Sequence, residues 1–247
     1  MVLQGRNRLS LPTFLNSIAN EGIVEGSNIL LVGPPGVGKT VFCENFMKHY
    51  LLQEAYSIYV TLEKTPEEIA FSFRTNGVDL KDGATSDRMV FVDGYTWLIG
   101  KSSERFFIDS LNNLTELNFK IFSAASLLSR PLVLIFNSVS PLSLYNPETF
   151  VLKSLQLLFA RVKEIGAIGI FVIQSGVHSQ EFYNTLEYLV DGIFDMKIGE
   201  DSGAILRYFR IRSLSTSTHS TEWVPFKIQP DREIDMQIGR GIENVQQ

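Results

Sequence analysis

Gly33-Pro34-Pro35-Gly36-Val37-Gly38-Lys39-Thr40 is the stretch whose reading decides the fold. The octet fits G-x-x-x-x-G-K-[ST], the pattern of a loop that binds phosphate. Glycine lets the backbone wrap closely round an anion, so that several N–H groups point inward. Lys39 can reach the β- and γ-phosphates of a nucleotide, and the Thr40 hydroxyl can ligate Mg²⁺. The neighbours agree. Asn28-Ile29-Leu30-Leu31-Val32 reads as a short buried strand, and Val41 to Leu51 as a helix that aims its positive end at the phosphates. The candidate nucleotide-binding set is therefore Gly33, Pro34, Pro35, Gly36, Val37, Gly38, Lys39, Thr40 and Val41.

The chain has 247 residues, 45% hydrophobic and 20% charged, enough for a full core without staples. Its net charge of −5 argues against a large basic groove for nucleic acid. Cys43 is the one cysteine, so no internal disulfide forms and a reducing, cytoplasmic setting is the simplest expectation. Cys43 shares one helical face with Met47 and Tyr50, which reads as core packing. No apolar run approaches the ~18 residues of a membrane helix. Arg6 and Arg8 precede no apolar signal core, and membrane insertion is not expected.

Along the chain, Leu11 to Ala19 reads as a short helix and Tyr56 to Leu62 as a strand. Thr65-Pro66-Glu67-Glu68 opens a helix with a capping box. Arg88 to Asp93 reads as a strand, Phe106 to about Leu128 as mostly helix, and Leu132 to Phe136 as a central parallel strand. Pro147 and Glu148 start a helix whose apolar face is Val151, Leu155, Leu158, Phe159 and Val162. Ile168 to Gln174 is the next strand, and Gly192 to Ile198 with Leu206 to Arg212 forms a closing β pair. This alternation predicts an α/β fold: a mainly parallel central sheet flanked by helices, with an antiparallel β extension near the C-terminus. Ligands then bind at the carboxyl ends of the strands. A single domain is expected, with its core over about residues 9–228 and a polar, loosely ordered tail over 229–247.

A phosphate loop alone does not separate a kinase, a switch GTPase, a motor ATPase and a recombinase-like ATPase. The carboxylates discriminate. Glu63, at the end of its strand, is placed either to activate water as a general base or to serve as a solvated turn residue. Gln174, also at a strand end, is either a γ-phosphate sensor or an ordinary polar terminus. His49 reads as surface or packing, and His178 follows the strand end at Gln174-Ser175.

Beyond the loop, Tyr59-Val60-Thr61-Leu62-Glu63-Lys64-Thr65-Pro66 and Leu186-Glu187-Tyr188-Leu189-Val190-Asp191-Gly192-Ile193 stand in order with Arg210-Ile211-Arg212, His219 and Pro225-Phe226. Together these resemble the RecA-like P-loop ATPases, and within them the KaiC-like group of bacterial and archaeal proteins. The likeness spans about residues 9 to 228, and it rests on order and spacing more than on any one motif. It implies a RecA-like P-loop NTPase fold with ATP and Mg²⁺ as cofactors, and Glu63 with Lys39 as the catalytic pair. It also implies that Arg210, Arg212 and His219 act on nucleotide held by a neighbouring chain, hence a homo-oligomeric ring or filament.

The chain departs from that pattern. Lys64 replaces a second acidic residue, and a short insertion separates Arg212 from His219. Where the family carries Asp-Ser, this chain carries Asn137-Ser138. An asparagine reaches the metal only indirectly, through a bound water, and brings no charge, whereas Mg²⁺ prefers charged oxygen ligands. The expectation is an ATP-binding protein with slow or degenerate hydrolysis that uses ATP for assembly or switching. One rival is a recombinase paralogue binding single-stranded DNA through Arg207, Tyr208, Arg210 and Arg212, which lacks a long basic run. Another is a non-catalytic regulator or motor accessory that reads ATP only by binding. An AAA-type ATPase would want an Asp-Glu pair after Ile135, and a nucleotide kinase an arginine-rich lid. The sequence supplies neither.

Overall fold

The computed structural model describes residues 7–102, 106–201, 204–215 and 217–237. In chain order the strands are β1 (Arg8–Leu9), β2 (Ile23–Val24), β3 (Asn28–Gly33), β4 (Tyr56–Thr61), β5 (Met89–Asp93), β6 (Leu132–Asn137), β7 (Ile168–Gln174), β8 (Gly192–Asp201), β9 (Ala204–Leu214), β10 (Val224–Ile228) and β11 (Ile234–Met236). The helices are α1 (Lys39–Leu52), α2 (Pro66–Thr75), α3 (Gly83–Ser86), α4 (Leu114–Ala125), α5 (Leu142–Tyr145), α6 (Glu148–Ile165) and α7 (Gln180–Leu189). β1 and β2 form a small ribbon. The rest form one nine-stranded sheet in the order β11-β10-β9-β8-β3-β7-β6-β4-β5.

The pairs from β8 through β3, β7, β6 and β4 to β5 are parallel. Those from β8 through β9 and β10 to β11 are antiparallel. This is the expected architecture, a mainly parallel α/β sheet with an antiparallel extension. β6 is buried along its whole length, as its unbroken apolar run requires when helices cover both faces. Alternate residues divide between two cores. Val133 and Ile135 pack with α1, whereas Leu134 and Phe136 pack with α4 and α6. Each such fully buried side chain contributes about 1.5–3 kcal/mol relative to exposure.

Several boundaries differ from the sequence reading. Residues 11–19 make only a 3-10 turn at Thr13–Leu15, because so short a segment does not sustain a helix. Residues 106–113 are not helical. They run beside β5, with a bridge between Asp93 and Phe107, and α4 starts only where Asn113 caps it by accepting the Glu116 N–H at 3.0 Å. The capping box at Thr65 and Glu68 forms as read. β10 pairs with β9 only opposite Arg207 to Phe209, so Arg210 and Arg212 lie beyond that ladder, where β9 pairs only with β8.

The expected loose tail is corrected over residues 229–237; residues 238–247 lie outside the described residues. β11 pairs with β10, Ile234 is buried, and Arg232 reaches back to α1. There its guanidinium donates to Glu44 Oε2 at 2.8 Å, while Ser72 donates to Oε1 at 2.6 Å. Asn45 donates to the Arg232 carbonyl at 2.8 Å, and Lys48 pairs with Glu233. Glu44 is fully buried and Arg232 is about one-third exposed. Arg232→Ala strands a buried carboxylate, and the partial exposure of the arginine moderates the loss. The expected destabilisation is about 2–4 kcal/mol. Urea unfolding checks it; Arg232→Lys should recover part of the loss.

Candidate nucleotide site

The loop Gly33–Thr40 leaves the carboxyl end of β3 and runs straight into α1. Gly36 and Gly38 hold φ of 75° and 106°, in the left-handed region that favours glycine. At Gly38 an added Cβ would also lie 2.7 Å from Ile228 Cδ1, so β10 packs directly on the loop. The N–H groups of Gly36, Val37 and Gly38 make no backbone hydrogen bond among the described residues. Unspent donors at a helix N-terminus, opening on a cavity of about 320 Å³, suit a phosphate group.

Lys39 is the first residue of α1. Its Nζ donates to the carbonyls of Gly33 at 2.7 Å and Pro34 at 2.8 Å, so the ammonium spans the loop. Burial lowers its pKa, and Glu63 and then Cys43 oppose that shift. Glu63 stands in the turn after β4, which closes with Thr61 Oγ1 donating to the Lys64 carbonyl at 2.6 Å. Its carboxyl is open to solvent at the mouth of the cavity, yet partial desolvation raises its pKa. Lys39, Lys64 and the Ser138 hydroxyl act against that rise. Among the described residues that line the cavity, Lys39 is the one cation and Glu63 the one carboxylate. Thr40, Val41, Asn137 and Gln174 line the same space.

Asn137 ends β6 and is almost fully buried. Its Nδ2 donates to Tyr59 Oη at 2.8 Å. Tyr59 is itself fully buried, and burial raises its hydroxyl pKa well above the ordinary value. Asn137 thus braces a core tyrosine while its other polar atom is left for the cavity. The phosphate cradle fits a nucleotide well. The metal shell has the Thr40 hydroxyl and lacks a carboxylate on β6.

The three residues expected to act on a neighbour are not at this cavity. Arg210 and Arg212 share the opposite face of the sheet, where both bind Asp195 of β8: Arg210 Nε at 2.9 Å, Arg212 Nε at 2.8 Å and Arg212 Nη2 at 2.8 Å. Arg212 Nη1 also donates to Glu187 of α7 at 2.8 Å. Arg210 and Lys197 lie on the Trp223 ring, each 4.4 Å from its centroid. His219 donates from Nδ1 to the Ser217 carbonyl at 2.8 Å, which frees Nε2. Arg207 falls on the other face, so the Arg-Tyr-Arg cluster of β9 is divided rather than continuous.

Two features escaped the sequence reading. Ile228 lines the cavity although it is far along the chain from the loop. Asp195 organises the arginines, and only the register of β8 with β9 reveals it. The remaining histidines and the cysteine are structural in setting. His49 lies 3.3 Å from Ser10 and 2.9 Å from Gln53, and Cys43 is fully buried, which pushes its thiol pKa up.

A doubly covered α/β sheet whose phosphate loop opens on a cavity at its strand ends defines a P-loop nucleotide-binding protein. A family model described as "ATPase: KaiC" matches residues 13–238, and the chain belongs to that family. The UPF0273 protein of Pyrococcus horikoshii is 29% identical over 218 residues, 87% of this chain and 87% of its own length. That of Methanopyrus kandleri is 28% identical over 218 residues, 87% of this chain and 85% of its own. Among solved structures, the KaiC-like protein of Pyrococcus horikoshii superposes with a TM-score of 0.76 at 22% identity, covering 94% of this chain and 99% of that one. That likeness shows the RecA-like fold. Membership of an ATPase family implies nucleotide binding. No helix among the described residues is long and apolar enough to cross a membrane.

Proposed function

We propose that the chain binds ATP with Mg²⁺ in the cavity at the carboxyl ends of β3, β4, β6 and β7, hydrolyses it slowly, and uses it to drive assembly of identical chains or a conformational switch. One observation carries this reading: Lys39, Thr40, Glu63, Asn137 and Gln174 come from four separate strand ends to line a single cavity. On binding, Lys39 exchanges two neutral carbonyls for phosphate oxygens, a stronger, charge-assisted contact. Thr40 offers its hydroxyl to the metal, which when bound neutralises charge on the phosphates. Glu63 accepts a proton from, or orients, the attacking water. Gln174 contacts the γ-phosphate. Arg210 and Arg212, pre-oriented by Asp195 until the chains meet, act with His219 on nucleotide in a neighbouring chain. The division of the β9 cations between two faces, and the neutralisation of two of them, favours this over a single-stranded DNA groove.

Lys39→Ala is expected to weaken ATP binding by at least about 1.5–3 kcal/mol, the range for hydrogen bonds to charged groups. Calorimetry on both forms checks it, and equal affinities would remove the nucleotide from this loop. Asn137→Asp is expected to raise phosphate release by about 10-fold, if the added charge is worth ~1.4 kcal/mol in the transition state. Glu63→Gln should abolish that gain. Brisk wild-type turnover unaffected by Asn137→Asp would contradict the role given to this position. Arg212→Ala should weaken ATP-dependent oligomerisation in light scattering while the monomer stays folded. A wild-type chain that remains monomeric at every ATP concentration would rule out the trans contact.

A further inference from the structure

We propose that Ser140, His178 and Glu148 form a positioning relay that holds Gln174 in place to distinguish ATP from ADP. The proposal rests on the nucleotide reading above, in which Gln174 meets the γ-phosphate.

Gln174 is the last residue of β7, and both of its peptide groups are held by side chains. Its N–H donates to Ser140 Oγ at 3.0 Å, and its carbonyl accepts from the Tyr183 hydroxyl. Tyr183 Oη in turn accepts the Val177 N–H at 3.3 Å. β7 pairs with β6 only as far as Phe171 opposite Phe136, so beyond that point the ladder no longer fixes Gln174 on that side. Ser140 takes over there.

Ser140 is itself held. His178 Nε2 lies 3.0 Å from Ser140 Oγ, and His178 Nδ1 lies 3.0 Å from Glu148 Oε1. The His178 side chain is 2% exposed and stacks on Phe182 with centroids 4.5 Å apart. Because the Gln174 N–H occupies a lone pair of Ser140 Oγ, the Ser140 O–H is free to donate to Nε2. In the tautomer that accepts it there, Nδ1–H donates to Glu148. Glu148, in the first turn of α6, also accepts the Ser179 N–H at 3.2 Å and the Ser179 hydroxyl, and Ser179 caps α7. One chain of hydrogen bonds therefore ties the loop after β6, the start of α6 and the start of α7 to the tip of β7.

A hydroxyl, an imidazole and a carboxylate in sequence can also make a nucleophile. Here the Ser140 oxygen is already engaged by a backbone N–H, and His178 is closed off by Phe182. The hydroxyl is a strut. The relay fixes the Gln174 backbone, and hence where its amide sits, without itself touching nucleotide.

The readout is the ratio of ADP to ATP dissociation constants, measured by calorimetry with Mg²⁺, which needs no turnover. His178→Phe keeps the ring and its stacking but removes both hydrogen bonds. His178→Gln keeps an acceptor and a donor about as far apart as the two ring nitrogens. His178→Phe and Ser140→Ala are expected to lower the ratio by about tenfold, towards Gln174→Ala, the size of one hydrogen bond to a charged oxygen. ADP affinity should stay at the wild-type value, and His178→Gln should restore most of the ratio. An unchanged ratio in His178→Phe, an equal loss of ADP and ATP affinity, or a Gln174→Ala variant that still discriminates would each overturn the relay. A wild-type chain that binds neither nucleotide would instead overturn the nucleotide reading, and the relay with it.

Discussion

The level ending of the parallel strands is the constraint on which the site depends. Gly33 pairs with Gln174 and Thr61 with Asn137, so the loops after β3, β4, β6 and β7 leave the sheet at one edge. Residue parity does the rest. Val133, Ile135 and Asn137 alternate with Leu134 and Phe136, so the same pleat that buries Val133 and Ile135 under α1 aims Asn137 at the phosphate-loop side. A one-residue slip of β6 would push Asn137 into the apolar core beneath α4 and α6 and expose Phe136 at the site. The cost of burying that amide without a partner makes the register effectively unique.

The antiparallel extension reaches the other side of the cavity through Ile228, and it is anchored to α1. Ile228 presses on Gly38, where an added Cβ would fall 2.7 Å from Ile228 Cδ1 and a φ of 106° strains any other residue. The turn that follows is tied down by Arg232 on Glu44 and by Asn45 on the Arg232 carbonyl. All three contacts land on the phosphate loop or on the helix it opens. A buried carboxylate on α1 makes sense only with that distant arginine present. The helix that carries Lys39 and the last strands of the sheet therefore order each other.

The features legible in the sequence were those written locally. The loop, its flanking strand and helix, the capping box at Thr65 and the apolar run of β6 each carry their own signal over a few residues. The start of α4 was misread because apolar residues from Phe106 to Leu111 continue the helical composition while actually packing beside β5. The Asn113 cap that marks the true start is a single residue. The order of residues 229–237 was invisible for another reason. Their composition is polar, and the anchor of Arg232, Glu44, is 188 positions away in the chain. Asp195 and the Ser140–His178–Glu148 chain were hidden likewise, because hydrogen bonds across strands and helix starts leave no spacing pattern. The loop motif and the strand end that carries Glu63 were readable in the sequence. What holds them in place was not.

The electrostatics of the cavity tie these threads together. Burial disfavours the charge on both Lys39 and Glu63, and each offsets that penalty for the other. A triphosphate changes the balance in opposite senses. Its negative charge would raise the Lys39 pKa, removing the effect of burial, and would raise the Glu63 pKa further, making that carboxylate a stronger base but less fully ionised. A carboxylate at position 137 would add to the second effect while drawing in the metal that counters it. The neutral Asn137 leaves both undone: it spares Glu63 a nearby like charge, and under the proposed reading a bound metal would have one charged anchor fewer. On the reading proposed above, such a site would keep the groups that grip phosphate and weaken the one that organises metal, so that binding and turnover would part company at Asn137.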